Sequence, residues 1–262
     1  MPRPVSSPYP GPVHAVGRVL VAGLVLYLGL VAPLHGRRRY ERLRARIAAD
    51  PGARLALYRR APVRAALLCG VVAMIGWLLG RRFADVDLRA PRSGWGVGMV
   101  LGFLVAFAAG TVVGLRQLRS PRGRAFVEAQ LGGARLLLPT TVRERRWSVA
   151  VALSAGVWEE LVYRGVLAEV VRTVRPAWGW LPVALVTGTL FGLAHLYQGA
   201  KGVVLTGLLG IALSSIVAST KSLYPAMLVH ALIDVRSLTL IGWELRRWSA
   251  PAAAVTDGVT GA

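Results

Sequence analysis

The chain has 262 residues, is 55% hydrophobic with a mean hydropathy of +0.53, and carries a formal charge of +20 from 32 basic and 12 acidic residues. A soluble domain of this length has no use for that much apolar surface, whereas a helix crossing a bilayer core about 30 Å thick needs about 20 apolar residues. The apolar runs are continuous, which excludes the alternating strands of a barrel, and the basic residues lie mainly between the runs, which favours topology-setting loop charge over nucleic-acid binding.

Residues 1–14 are rich in Pro and predict a disordered tail without the features of a signal peptide. About seven apolar spans follow in an all-α membrane bundle. They run over Val19–Leu34, Ala65–Leu79, Gly94–Gly114, Trp147–Val171, Trp178–Tyr197, Val203–Ser219 and Leu223–Trp243. Trp95, Trp147, Trp178, Trp180 and Trp243 stand near span ends, where interfacial anchors belong. The single cysteine, Cys69, lies in an apolar run and leaves no intrachain disulfide to form.

The loops alternate in charge: 21 basic residues fall in one set and 9 in the other. The positive-inside rule then puts the N-terminus outside and the C-terminus in the cytosol, in what we read as the plasma membrane. Residues 37–48 mix Arg with Tyr40, Leu43 and Ile47, a pattern that suits either an interfacial helix against anionic headgroups or a plain topology determinant, and we favour the second. The organisation is a tail (1–14), three spans with basic cytosolic loops (15–146), a catalytic core (147–245) and a disordered C-terminal tail (246–262). Ionisable residues gather inside the apolar runs only in the second half.

Such groups cost about 2.5–3.5 kcal/mol each at membrane depth. Glu159, Glu160 and Arg164 in the fourth span, His195 in the fifth, and His230, Asp234 and Arg236 in the seventh are therefore expected to share one interior pocket. Residues four apart share a helix face. Glu160 can thus pair with Arg164, which leaves Glu159, beside Tyr163, to act as a general base. His195 follows Phe191 by four positions, with Gly188, Gly192 and Ala194 small enough to let helices approach. His230 and Asp234 form an i, i+4 pair that suits two metal ligands or a histidine oriented by a carboxylate. The span boundaries set His195 and His230 on the order of 15 Å apart in depth, a mismatch that tilted or interrupted helices around a wet cavity would close.

Three ordered elements, EELVYR, FGLAH and HALID, carry a resemblance to the CPBP family of intramembrane proteases, which includes the type II CAAX prenyl endopeptidases and the Abi proteins. The resemblance covers roughly residues 148–240. It implies an endopeptidase that cleaves a membrane-associated protein or peptide, with Glu159 activating water, His195 positioning that water or binding metal, and His230 with Asp234 stabilising the oxyanion or completing a metal site. Glu160, Tyr163, Arg164 and Phe191 would support them. Two routes stay open: Zn²⁺ held by His195, His230 and Asp234, or a metal-free Glu/His pair. An ionised Asp accepts hydrogen bonds but does not donate, which favours Asp234 as a ligand or as a brace for His230. The competing functions are a non-proteolytic Abi-like scaffold or immunity protein, and a transporter or proton relay.

Overall fold

The computed structural model describes residues 19–20, 22–23, 25–50, 52–78, 83–92 and 94–249. The expected tail at 1–14 and residues 250–262 lie outside the described residues. Among the described residues the fold is all helical. The α-helices are α1 (Ala32–Ala49), α2 (Gly52–Leu78), α3 (Gly94–Gln117), α4 (Pro121–Leu131), α5 (Val142–Glu160), α6 (Ala168–Val174), α7 (Trp180–Ala194), α8 (Ala200–Thr220), α9 (Tyr224–Asp234) and α10 (Gly242–Ser249).

Among the described residues, four helical segments are long and apolar enough to cross a membrane: Gly52–Leu78, Gly96–Gln117, Ala200–Thr220 and Tyr224–Arg247. Their outward faces carry large apolar side chains, including Leu67, Trp77, Leu101, Val105, Leu205 and Leu208. Patches of that size suit lipid rather than water, as expected of an integral membrane protein. α2 begins well before the predicted second span and takes in Arg54, Arg59, Arg60 and Arg64. α7 is shorter than the predicted fifth span, with 15 residues, or about 22 Å at about 1.5 Å per residue. It stops at Ala194, and the chain turns through a 3₁₀ segment, Leu196–Gln198, to Gly199 at φ +86°, where the left-handed backbone favours glycine.

Besides a π-helical segment at Tyr27–Val31 that leads into α1, two π-helical turns interrupt otherwise continuous helices in the second half. Leu161–Leu167 joins α5 to α6, and Val235–Ile241 joins α9 to α10. A π turn is a local insertion that is frequent at functional sites. Here each follows directly on a polar motif: Glu159 and Glu160 end α5, and Asp234 ends α9.

The core is centred on α5, α7, α8, α9 and the first π turn. Val162, Tyr163, Leu167, Phe191, Leu213, Val217, Leu223 and Val229 are buried together. α7 lies close against α8 because a Cβ on Gly192 would stand 2.5 Å from the Val203 carbonyl oxygen, in keeping with the expected role of the small residues. α9 lies equally close to α5, since a Cβ on Gly156 would come within 2.8 Å of the Ala231 backbone nitrogen.

α1 is amphipathic: Tyr40, Leu43 and Ile47 are half-buried while the arginines between them face outward. It packs on α7 and on the 3₁₀ turn beyond it, so the segment forms a surface helix as well as a block of loop charge. The start of α5 is fixed by a Thr141 cap, whose side-chain oxygen accepts from the Glu144 backbone N–H at 3.1 Å. Glu144 in turn accepts from the Thr140 N–H at 2.6 Å and from the Thr140 hydroxyl at 2.7 Å, and it faces the buried Arg54 at 3.5 Å.

Candidate active site

The polar motifs meet at the C-terminal ends of α5, α7 and α9. Glu159 and Glu160 are adjacent in the chain but point to different surroundings. Glu160 is sealed at 0% side-chain exposure with Arg164 at 1%, whereas Glu159 is 23% and Asp234 29% exposed, and His230 lies between the two layers at 3%.

The sealed layer is continuous. Arg164 donates from Nη1 to Glu160 Oε1 at 2.9 Å, and the His230 Nδ1 lies 2.7 Å from the same oxygen. The Arg164 guanidinium also lies over the Phe191 ring, 4.3 Å from its centroid, a cation–π contact strengthened by burial. Space for that guanidinium depends on Gly210, where a Cβ would stand 2.8 Å from Arg164 Nη2. Because Glu160 already accepts from an arginine, it is the acceptor for His230 as well. The Nδ1 of His230 therefore carries its proton.

That tautomer turns Nε2 toward the open layer. Glu159 Oε2 lies 3.7 Å away and Asp234 Oδ2 3.8 Å away. Both separations exceed a direct hydrogen bond. His195, at the C-terminal cap of α7, directs Nδ1 at the Phe191 carbonyl at 2.8 Å. A carbonyl only accepts, so His195 donates from Nδ1 and presents an Nε2 lone pair.

Phe191 is the common wall. Its ring centroid is 4.7 Å from that of His195, 5.8 Å from that of His230 and 5.1 Å from that of Tyr163. The two histidines meet despite the expected mismatch: α7 stops at Ala194 with His195 as its cap, and both imidazoles flank one ring. Arg236 does not join them. It lies in the second π turn, with its guanidinium 5.4 Å from the Phe107 ring of α3, because residues two apart do not share a helix face and residue 236 is therefore off the face that holds residues 230 and 234.

Residues 142–236 match the model of the family described as type II CAAX prenyl endopeptidase Rce1-like. This segment is a domain of that family. No curated protein and no solved structure matches the chain. The Rce1-like domain begins at Val142, where the Thr141 cap starts α5, and ends at Arg236, two residues past Asp234. It thus contains Glu159, Glu160, Arg164, Phe191, His195, His230 and Asp234. The family is one of proteases.

The fit of zinc can be tested on the ligand set. Both imidazoles expose an Nε2 while Nδ1 donates elsewhere, as metal-binding histidines do. Among the described residues, however, no group of three His, Cys, Asp or Glu side chains converges closely enough to hold an ion. His195, His230 and Asp234 do not form a preassembled metal site.

Sequence reasoning missed two aromatic residues at the mouth of the site. Tyr197 follows His195 in the 3₁₀ turn, with ring centroids 5.8 Å apart, and stacks on Tyr40 of α1 at 5.7 Å. Tyr40 donates to the Gly133 carbonyl at 2.6 Å. Gln198 donates from Nε2 to the Tyr197 hydroxyl at 3.1 Å. The only signal of Tyr197 in the sequence is its place two residues after the motif histidine.

Proposed function

We propose that the chain is an intramembrane endopeptidase that hydrolyses a peptide bond of a membrane-associated protein or peptide, with Glu159 as the base that activates water. The observation that carries this reading is the pair of partly open carboxylates, Glu159 and Asp234, flanking Nε2 of a histidine whose other nitrogen is locked by the sealed Glu160–Arg164 pair. The family match to a protease domain supports it.

The chemistry follows from the positions. A water held against Glu159, beside His230, gives a proton to Glu159 as its oxygen bonds to the peptide carbonyl carbon. The carbonyl π electrons move onto oxygen and form a tetrahedral intermediate. As this collapses the C–N bond breaks, and the departing nitrogen takes the proton back from Glu159, leaving a carboxylic acid and an amine. The Nε2 lone pair of His195 accepts a hydrogen bond from the same water and aligns it. Asp234 braces His230, and Glu160 with Arg164 fixes the tautomer. No step is routed through zinc, because the residues present do not assemble around an ion.

The same reading keeps seven spans, with Val19–Leu34, α5–α6 and α7 added to the four long segments, an outside N-terminus and a cytosolic C-terminus. The concentration of basic residues on one side supports that orientation. Reporter fusions at the loops would test it, and a reporter after residue 146 found outside would overturn it. The function is tested by incubating purified protein in bilayer discs with membrane-partitioning peptides. Cleavage by the wild type that is lost in both Glu159→Gln and His195→Ala, with normal insertion, is expected. Retained cleavage in both variants would end the proposal, and ion or solute flux without product would favour a transporter.

A further inference from the structure

Three of the most basic stretches of the chain meet beside Tyr40, outside the cluster of motif residues. An open cavity of about 520 Å³ is lined by Tyr40 and Arg44 of α1, Arg54 of α2, Gly133 and Arg135 of the segment before α5, and Arg246 of α10. Four guanidinium groups from four separate segments thus share one space. The acids that face its arginines Arg54 and Arg135 are both engaged. Glu144 is held by Arg54 at 3.5 Å and by both donors of Thr140, and Glu128 lies 3.4 Å from Arg135. Arg246 lies within electrostatic reach of Arg54 and Arg135, and its Nε is buried with no hydrogen-bond partner among the described residues. The Tyr40 hydroxyl is spent on the Gly133 carbonyl.

Like charges gathered around a cavity repel, and a buried N–H without an acceptor carries a desolvation cost. Both costs vanish when an anion enters. Guanidinium forks match the oxygens of phosphate better than a point cation would. The cavity also lies where the arginine-rich segments gather, at the level where lipid headgroups are found if these segments border the bilayer. We propose that this cavity binds a phosphate-bearing anion, supplied by an anionic lipid headgroup or by free phosphate, and that the bound anion ties α1, α2 and α10 together. Because α1 also carries Tyr40 against Tyr197, occupancy stiffens the mouth of the motif site. The binding itself does not depend on that site being a protease.

The test uses the full chain in discs of phosphatidylcholine, of phosphatidylcholine with phosphatidylglycerol, and of phosphatidylcholine with inorganic pyrophosphate in the buffer, reading the heat-unfolding midpoint by tryptophan fluorescence. The midpoint is expected to rise with one or both anions. A rise with phosphatidylglycerol alone assigns the headgroup, and a rise with pyrophosphate assigns the free anion. Arg44→Gln and Arg246→Gln should each weaken the apparent affinity about tenfold, the loss of one charged hydrogen bond. Arg122→Gln, exposed and outside the cavity, should leave it unchanged. If Arg246→Gln does not fold, Arg44→Gln on the exposed rim decides. No rise with either anion, or a rise of equal size and affinity in Arg44→Gln, would overturn the proposal, the latter assigning the effect to general surface attraction.

Discussion

Glu159 and Glu160 are neighbours in the chain and opposites in the fold. Glu160 faces the α5–α9 contact, where it is fully buried and its Oε1 accepts from both Arg164 and His230, while its Oε2 has no hydrogen-bond partner among the described residues. Glu159, one residue earlier and so about 100° around the helix, faces the half-open side, where its oxygen approaches the other nitrogen of the same histidine. One carboxylate fixes the imidazole and its neighbour works beside it. The difference teaches that helix face, not residue type, divides a double-Glu motif into a structural and a chemical partner.

The sharpest way to break this comparison is to neutralise each member. Glu159→Gln should lower the cleavage rate about 10²–10⁴-fold, the usual contribution of a general base, while unfolding in denaturant stays near that of the wild type. Arg164→Gln should do the reverse in kind. It leaves Glu160 as an uncompensated buried charge and should cost about 3–5 kcal/mol of stability, read by reversible unfolding in mixed detergent. A severe loss of stability in Glu159→Gln, with Arg164→Gln neutral, would invert the assignment.

A smaller effect is expected from Gly156→Ala. The added methyl meets the Ala231 backbone at 2.8 Å, so α9 must shift and carry His230 with it. Overpacking of this kind costs about 1–3 kcal/mol, and kcat should fall with little change in KM, because the proton path lengthens while peptide binding does not. Unchanged kcat would show that the α5–α9 spacing does not set the geometry.

The smallest effect concerns the cap region at the other end of α5. Burial pushes the Glu144 carboxyl up, but the two bonds from Thr140, the charge of Arg54 and the Thr141 backbone overcome it and hold the group below its ordinary value of 4.5. A carboxyl lowered in the folded state stabilises the fold above its unfolded value and loses that contribution as pH falls through the folded one. Stability should therefore drop on acidification below about 4.5, and Glu144→Gln should flatten that part of the profile. An identical acid limb in the variant would assign the drop to other groups.

Much of the site was legible because charge in an apolar run needs a reason. EELVYR, FGLAH and HALID each stand out on hydropathy alone, and the i, i+4 spacing correctly paired Glu160 with Arg164. The meeting of His195 and His230 was not legible, since it depends on α7 ending at Ala194 and on π turns that hydrogen bonding within the folded helix decides. Arg236 was wrongly grouped with the site, although its place two residues after Asp234 already set it on another helix face. The start of α2 was hidden because Arg54, Arg59 and Arg60 lower the hydropathy of its first turns. Arg54 is stabilised there by a carboxylate 90 residues away in sequence. The Thr141–Glu144 spacing was a capping signal open to reading, but its link to Arg54 was not.

The central claim is tested most directly by hydrolysis in H₂¹⁸O, with a library of membrane-partitioning peptides and the protein in bilayer discs. The account predicts new C-termini carrying ¹⁸O with the wild type and none with folded Glu159→Gln. No labelled product from the wild type, or the same products from both proteins, would contradict it.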